Sequence, residues 1–421
     1  MLLIKNAKIL SPGTPHHGKK RDLSIDRKGR IQSIRAKLDE KRSKVLDVRG
    51  AYVSPGWMDV GVQVGDPGFE HREDLQSVAA AAAAGGFTAL APQPNTHPTI
   101  HSKSEVRYLR DGLRDSLIDL YPLGAVSQSC EGGDITEIYD MHRAGAIAFT
   151  DGQQSIQDGG LMMRALQYVK AIDGIVINAP HDESIAGRGQ IHEGQMSTAL
   201  GMKGLPALAE ELMLQRDLYL LAYTDSRLHV ANVSTAGAVA LIREAKRKGL
   251  RVTASVPAMN LALTEEVLEG FDTNYKVLPP LREKSDLLAL RRGIQDGTLD
   301  FVSSNHTPLE GEAKKLEFPY ADFGALGLQT LFPLVNTHLG DRFKAEDWVR
   351  LLAFRPREVF GLAVPEIREK EMANLTIFST EAEWTFEAQA IRSKSSNTPF
   401  LGQSFRGKVL GVVNKGQSVL F

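Results

Sequence analysis

The stretch LHVANVSTAGAVALIREAKRKGLRVTASV, residues 228–256, decides the fold. Leu228 to Val233 is short, apolar and rich in valine, as a strand covered on both faces should be. Ala236 to Lys248 is amphipathic with helical period, and Val252 to Val256 is strand-like again. Strand, helix and strand in that order describe two parallel strands joined by a crossover.

The same unit recurs outward in both directions. Upstream strands are Phe87 to Ala91, Leu117 to Leu123, Ala146 to Thr150 and Gly174 to Asn178; Phe301 to Ser304 follows downstream. Helices between them are expected at Ser104 to Arg114, Leu161 to Ile172, Gly204 to Arg216 and Ser285 to Asp296. A further helix has Ala79 to Ala84 as its core, closed by Gly85-Gly86. Its alanines suit close packing on a barrel. Seven or eight such units predict an α/β chain folded as a (β/α)8 TIM-like barrel.

Both ends read differently. Leu2 to Ile4, Ala7 to Leu10, Asp22 to Ile25 and Ile31 to Ile34 are short strands, as are Asn374 to Phe378, Gly407 to Val409 and Gly416 to Phe421. A small composite β-sandwich domain built from both termini is therefore expected. Residues 1–54 and 366–421 would form it, and 55–365 the barrel. His16-His17 and the basic residues after them fit a solvated hairpin tip.

Composition narrows the function. Lys plus Arg number 50 against 51 Asp plus Glu, a balance unlike the basic excess of nucleic-acid binders. Cys130 is the sole cysteine, so neither a disulfide framework within the chain nor a cysteine-based zinc motif is available. The longest apolar runs, such as Leu218 to Tyr223, fall far short of the roughly 20 residues that span a bilayer. A cytoplasmic protein is expected, with no membrane partner and with self-association into a homo-oligomer.

Active sites of such barrels lie at the C-terminal ends of the strands. The first such end runs Pro55-Gly56-Trp57-Met58-Asp59-Val60-Gly61-Val62-Gln63-Val64-Gly65-Asp66-Pro67-Gly68. Pro94-Asn95-Thr96, Gly145 to Gly152, His229 to Thr235, Pro279-Pro280-Leu281-Arg282 and Ser393 to Phe400 follow in order. Together these segments resemble the dihydroorotase family of the amidohydrolase superfamily. That family carries Pro-Gly-x-x-Asp-x-His-x-His at the first strand, Met-Pro-Asn-Thr-x-Pro at the second, and His-Val-x-His-Val-Ser-Thr and Asp-His-Ala-Pro-His later. Alternate strand residues share a face, so two histidines in His-x-His converge on one ion.

The resemblance implies zinc, and position by position its ligands are missing. Gly61 and Gln63 stand at the His-x-His, Ala179 at a third histidine, Asn232 at a fourth, and Asn305 at the aspartate that also serves as general base. Asp151 is the retained strand-end acid. Asn and Gln offer only neutral carbonyl oxygens. Without the metal there is no low-pKa hydroxide to attack an amide. The resemblance also places Gly65, Leu278 and Leu309 where the family holds its substrate with arginine, asparagine and histidine, leaving Asn95 as the one retained contact.

The expectation is a non-catalytic dihydroorotase-like protein of pyrimidine biosynthesis that binds no metal cofactor. Inactive relatives in the family support assembly of aspartate transcarbamoylase, which makes that enzyme the expected partner. The alternative is an active dihydroorotase or other cyclic-amide hydrolase with a rebuilt metal site. Its candidates are His181, His192, His229 and His306 with Asp151, Asp182 and Glu193, though His181 and His192 are expected on a solvated loop. A third possibility is a regulator that binds a small molecule in the barrel mouth. Cys130, in the loop Ser127 to Gly133, has no base fixed beside it to make it a nucleophile.

Overall fold

The computed structural model describes residues 1–39 and 44–421. Eight barrel strands follow in chain order: Trp57–Val62, Phe87–Pro92, Asp119–Leu120 continued by Leu123–Gly124, Ala148–Phe149, Val176–Asn178, Leu228–Val230, Val252–Pro257 and Phe301–Ser303. Successive strands pair in parallel, for example Leu90 with Leu120, Val176 with Leu228, and Ser255 with Phe301. The ring closes where Ser304 N–H donates to Asp59 Oδ1 at 3.0 Å and Gln63 N–H to the His306 carbonyl at 3.1 Å. Helices cover the outer faces, so nearly every strand residue is buried. That is why these strands lack polar alternation.

The alanine-rich helix spans Leu75–Gly85. Asp74 caps its start by accepting from Gln76 and Ser77 N–H, and Gly86 ends it at φ 90°, a conformation glycine adopts without Cβ strain. A side chain at Gly85 would meet the Leu328 carbonyl at 2.2 Å, so small residues here allow close packing.

One helix departs from its expected bounds. Gly204–Leu205 forms a short parallel ladder with Ile191–His192, and the helix begins only at Leu208 and runs to Thr224. Pro206 explains the shift, because it disfavours helical geometry in the residue before it. His192 thereby sits on a buried strand, with 5% exposure, and not on the solvated loop expected for it. Among the described residues no helix is long and apolar enough to cross a membrane.

Strands from both ends join in one eight-stranded sheet. Leu375 to Phe378 pairs antiparallel with Tyr52 to Pro55, which fastens the C-terminal strands onto the N-terminal ones. Leu2, Ile4, Ile9, Val53, Leu375 and Ile377 form their own buried cluster. Trp57 joins sheet to barrel: its ring packs at 5.1 Å from both Phe332 and Phe378, and its Nε1–H donates to Ser54 Oγ at 3.1 Å.

Candidate functional site

The strand ends converge on a cavity of about 90 Å³ lined by Gln93, Gly152, Ala179, Asn232, Leu278 and Asn305, with Arg282 and Glu210 at its edge. A smaller recess beneath it adds Gly61 and His229. Gly61 has φ 87°, and a Cβ there would meet Gln93 Nε2 at 3.4 Å. Asn232 and Asn305 also take left-handed backbone, at φ 55° and 50°, which asparagine tolerates better than most residues. Their amides bond to each other, Asn232 Nδ2 donating to Asn305 Oδ1 at 3.2 Å. Ser303 Oγ donates to Asn232 Oδ1 at 3.1 Å, and Asn305 Nδ2 to the Leu278 carbonyl at 3.0 Å. Gln63 Nε2 donates to Thr307 Oγ1 at 3.3 Å. A mesh of neutral amides occupies this mouth.

Two residues expected in the mouth serve elsewhere. Asp151 points its carboxylate away: Oδ1 accepts from Val126 and Ser127 N–H at 2.9 and 2.8 Å, and Oδ2 from Ser127 Oγ at 2.6 Å. It pins the loop after the third strand, and burial raises its pKa. Gly152 faces the cavity instead, at φ 65°, and a Cβ there would fall 1.8 Å from Asn95 Oδ1. Asn95 is likewise engaged, donating Nδ2 to the Asp151 carbonyl and accepting Gln153 N–H, each at 3.0 Å. The retained acid and the retained asparagine hold loops in place.

Zinc does not fit this donor set. Gly61, Gly152 and Ala179 have no ligating atom, and the amides are neutral, with Asn305 Oδ1 and Asn232 Oδ1 already accepting from Asn232 Nδ2 and Ser303 Oγ. The histidines and acids of a rebuilt site do not meet either. His229 lies inside the barrel between Thr253 Oγ1 at 2.9 Å and Ser255 Oγ at 3.0 Å, stacked on Phe301. His306 accepts Gly327 N–H on Nδ1 at 3.1 Å and turns Nε2 to Glu73 Oε2 at 3.4 Å. Asp182 caps the helix Glu183–Ala186, and Glu193 is exposed.

Among the described residues one group has metal-ligand spacing: His192, Glu283 and Asp286, with ligand atoms within 4.8 Å of one another. Arg282 Nη1 donates to His192 Nδ1 at 3.0 Å. Arginine only donates, so the neutral ring carries its proton on Nε2, the nitrogen a metal would need. Burial, reinforced by Arg282, pushes the His192 pKa down to about 4.

The positions matching substrate contacts are equally altered. A side chain at Gly65 would meet the Glu73 carbonyl at 2.2 Å, so arginine cannot stand there in this backbone. Leu309 is buried, and its N–H donates to Asn397 Oδ1 at 3.0 Å. The scaffold between these positions is intact. Glu73, fully buried, accepts from Ser77, Ser393 and His306 side chains and from Lys394 N–H. The Cys130 thiol is buried and bonded to Asp151, which together push its pKa well above the usual thiol range. That is the reverse of activation.

The neutral core histidine has a measurable signature. Burial pushes the His229 pKa down to about 3 from an ordinary 6.5. A folded-state pKa below the unfolded one means stability is full above pH 6.5 and falls as pH drops toward the folded value. Each pH unit in that window costs about 1.4 kcal/mol from this group. In urea unfolding series, His229→Gln is expected to lose less stability than the parent between pH 6.5 and 5, by about 2 kcal/mol. Parallel pH profiles would refute this.

Gln93 and Gly152 were not singled out by sequence reading. Gln93 had a signal, since it stands at the methionine of the family's Met-Pro-Asn-Thr segment. A polar residue for an apolar one, facing the emptied Gly61, marks the change.

Barrel and composite sheet together have the fold of solved hydantoinases and dihydropyrimidinases. L-hydantoinase (dihydropyrimidinase) from Arthrobacter aurescens superposes with a TM-score of 0.86 at 24% identity, over 100% of this chain and 96% of that one. Dihydropyrimidinase from Brevibacillus agri gives 0.83 at 21% identity, over 99% and 94%. In sequence, the Dihydro-orotase-like family model matches residues 50–238. The chain is 37% identical to a dihydroorotase of Ruminiclostridium cellulolyticum over 97% of its own length and 95% of the relative's. It is also 37% identical to a dihydroorotase of Pelotomaculum thermopropionicum, over 100% and 98%. The chain belongs to the dihydroorotase family.

Proposed function

We propose that this chain is a dihydroorotase-family protein of pyrimidine biosynthesis that has lost hydrolase activity and acts as an assembly partner of aspartate transcarbamoylase. The observation that carries the first half is the mouth itself. Every strand end that would present a zinc ligand presents a glycine, an alanine or a paired neutral amide, and Asp151 is spent on a loop. Such a site has no means of making hydroxide near neutral pH. The second half draws on the resemblance to inactive family members and on the intact scaffold around Glu73. A chain kept for its surface needs its fold and not its metal.

The test combines two measurements on purified protein. With or without added zinc, dihydroorotate is expected to remain unhydrolysed, and the chain is expected to co-elute with aspartate transcarbamoylase of the same organism in size-exclusion chromatography. Hydrolysis at a rate ordinary for the family overturns the first half, and separate elution overturns the second. A hydrolase with a relocated metal is the competing reading, and among the described residues the His192, Glu283, Asp286 spacing is its one support. It requires stoichiometric metal by elemental analysis of protein purified without chelator. Metal-free protein unchanged by zinc removes it.

A further inference from the structure

Three segments of the barrel rim bring carboxylates together around His192. Glu283 precedes the helix Lys284–Asp296 and Asp286 lies in its first turn, while Glu265 opens the short helical segment Glu265–Gly270. Ligand atoms of His192, Glu283 and Asp286 lie within 4.8 Å of one another. Glu265 reaches the same ring, since a Cβ at Gly194 would stand 3.5 Å from both Glu265 Oε1 and His192 Nε2. Two of these groups lack partners. His192 and Glu265 are 5% and 6% exposed, and His192 Nε2 and Glu265 Oε2 are buried with no hydrogen-bond partner among the described residues. Asp286 spends only Oδ1, on Ala236 N–H at 2.8 Å, and the exposed Glu283 makes no side-chain bond to cap its own helix. Glu283, Glu266 and Asp286 repel the Glu265 carboxylate, and Glu283 and Glu211 repel that of Asp286. Arg282, the cation nearby, turns Nη2 to Glu210 at 3.6 Å and Nη1 to His192 Nδ1 and the Leu205 carbonyl. Carboxylates held this close disfavour one another's charge unless a cation stands between them.

We propose that Glu283, Asp286 and Glu265 hold a hard divalent cation of the calcium, magnesium or manganese class on the rim of the barrel. Its ligands are carboxylate oxygens and water, the set such ions take. His192 does not ligate. Its Nε2–H donates to an oxygen of the coordination shell, which agrees with the proton that the Arg282 contact leaves on that nitrogen. Glu283 is exposed, so an ion enters from solvent without opening the fold. Once bound, it ties the strand Ile191–His192, the segment Glu265–Gly270 and the start of the helix Lys284–Asp296 into one unit. The ion serves the scaffold, and the site stands whether or not the mouth hydrolyses anything.

Electron paramagnetic resonance of the full chain, stripped with chelator and then titrated with Mn2+, tests this. One Mn2+ per chain is expected to bind, and Glu283→Gln is expected to weaken it by about tenfold or more. If that variant fails to fold by circular dichroism, Glu265→Gln takes its place with the same expectation. No Mn2+ bound at about 1 mM, the weak end of oxygen-ligand sites, overturns the proposal. So does binding that is unchanged in the folded variant, which would mark an adventitious ion only. A dihydroorotate assay on the Mn2+-loaded chain separates this site from the reading of the mouth: hydrolysis leaves the cation site standing and overturns the loss of activity.

Discussion

Replacing Arg282 with methionine is expected to destabilise the protein by about 3–5 kcal/mol, because it removes one partner of a buried ion pair and leaves the other. Arg282 and Glu210 are 3% exposed each. The carboxylate of Glu210 accepts from Ser234 and Thr235 N–H and from the Ser234 hydroxyl, and it faces Arg282 Nη2 at 3.6 Å. Burial already raises the Glu210 pKa, and Arg282 is the main influence lowering it. Without the guanidinium the carboxyl takes up a proton more readily. The loss is therefore expected to be larger at pH 8 than at pH 5, since protonation caps the cost of an unpaired charge. Guanidinium unfolding at the two pH values checks this. Arg282→Met with Glu210→Gln should recover part of the loss, because neither charge is then stranded. Equal destabilisation at both pH values, with no recovery in the double variant, would show that the pair matters only for packing.

The second large effect is expected from Trp57→Ala, at about 3–5 kcal/mol. Trp57 is fully buried between barrel and sheet, within 5.1 Å of Phe332 and Phe378 and 6.1 Å of Phe87. Removing it leaves a void bounded by three rings that belong to different elements and cannot close together. Trp57→Phe retains most of the apolar volume and loses only the bond to Ser54, so it should cost a fraction of that. Chemical unfolding of both variants measures the difference. A loss below about 1 kcal/mol for the alanine variant would mean the site collapses freely.

The barrel was legible because its strands are continuous apolar runs and its helices carry a clear period. The segment 228–256 states the repeat by itself. The start of the helix at Leu208 was less legible, because Gly204 to Arg216 is apolar enough to read as one helix and only Pro206 marks the break. At the candidate site, the altered positions Gly61, Ala179, Asn232 and Asn305 were readable residue by residue, since glycine and alanine carry no ligating atom and asparagine only a neutral carbonyl oxygen, which suits zinc poorly. Asp151 was different. Its identity suggested a ligand, yet its carboxylate is consumed by Ser127 and Val126, which the linear sequence places 24 or more residues away. Gln93 went unnoticed because its neighbours Asn95 and Pro94 carried the resemblance.

By itself, the sequence determined the repeat, the family and the lack of histidine at the strand-end ligand positions, all properties of residue identity and local spacing. Only the tertiary structure decided which way Asp151 and Asn95 point, that His192 is buried against Arg282, and that Gln93 Oε1 is left without a partner among the described residues. Those outcomes depend on which groups from distant strands reach a donor or acceptor first. Hydrogen-bond competition of that kind is settled in three dimensions.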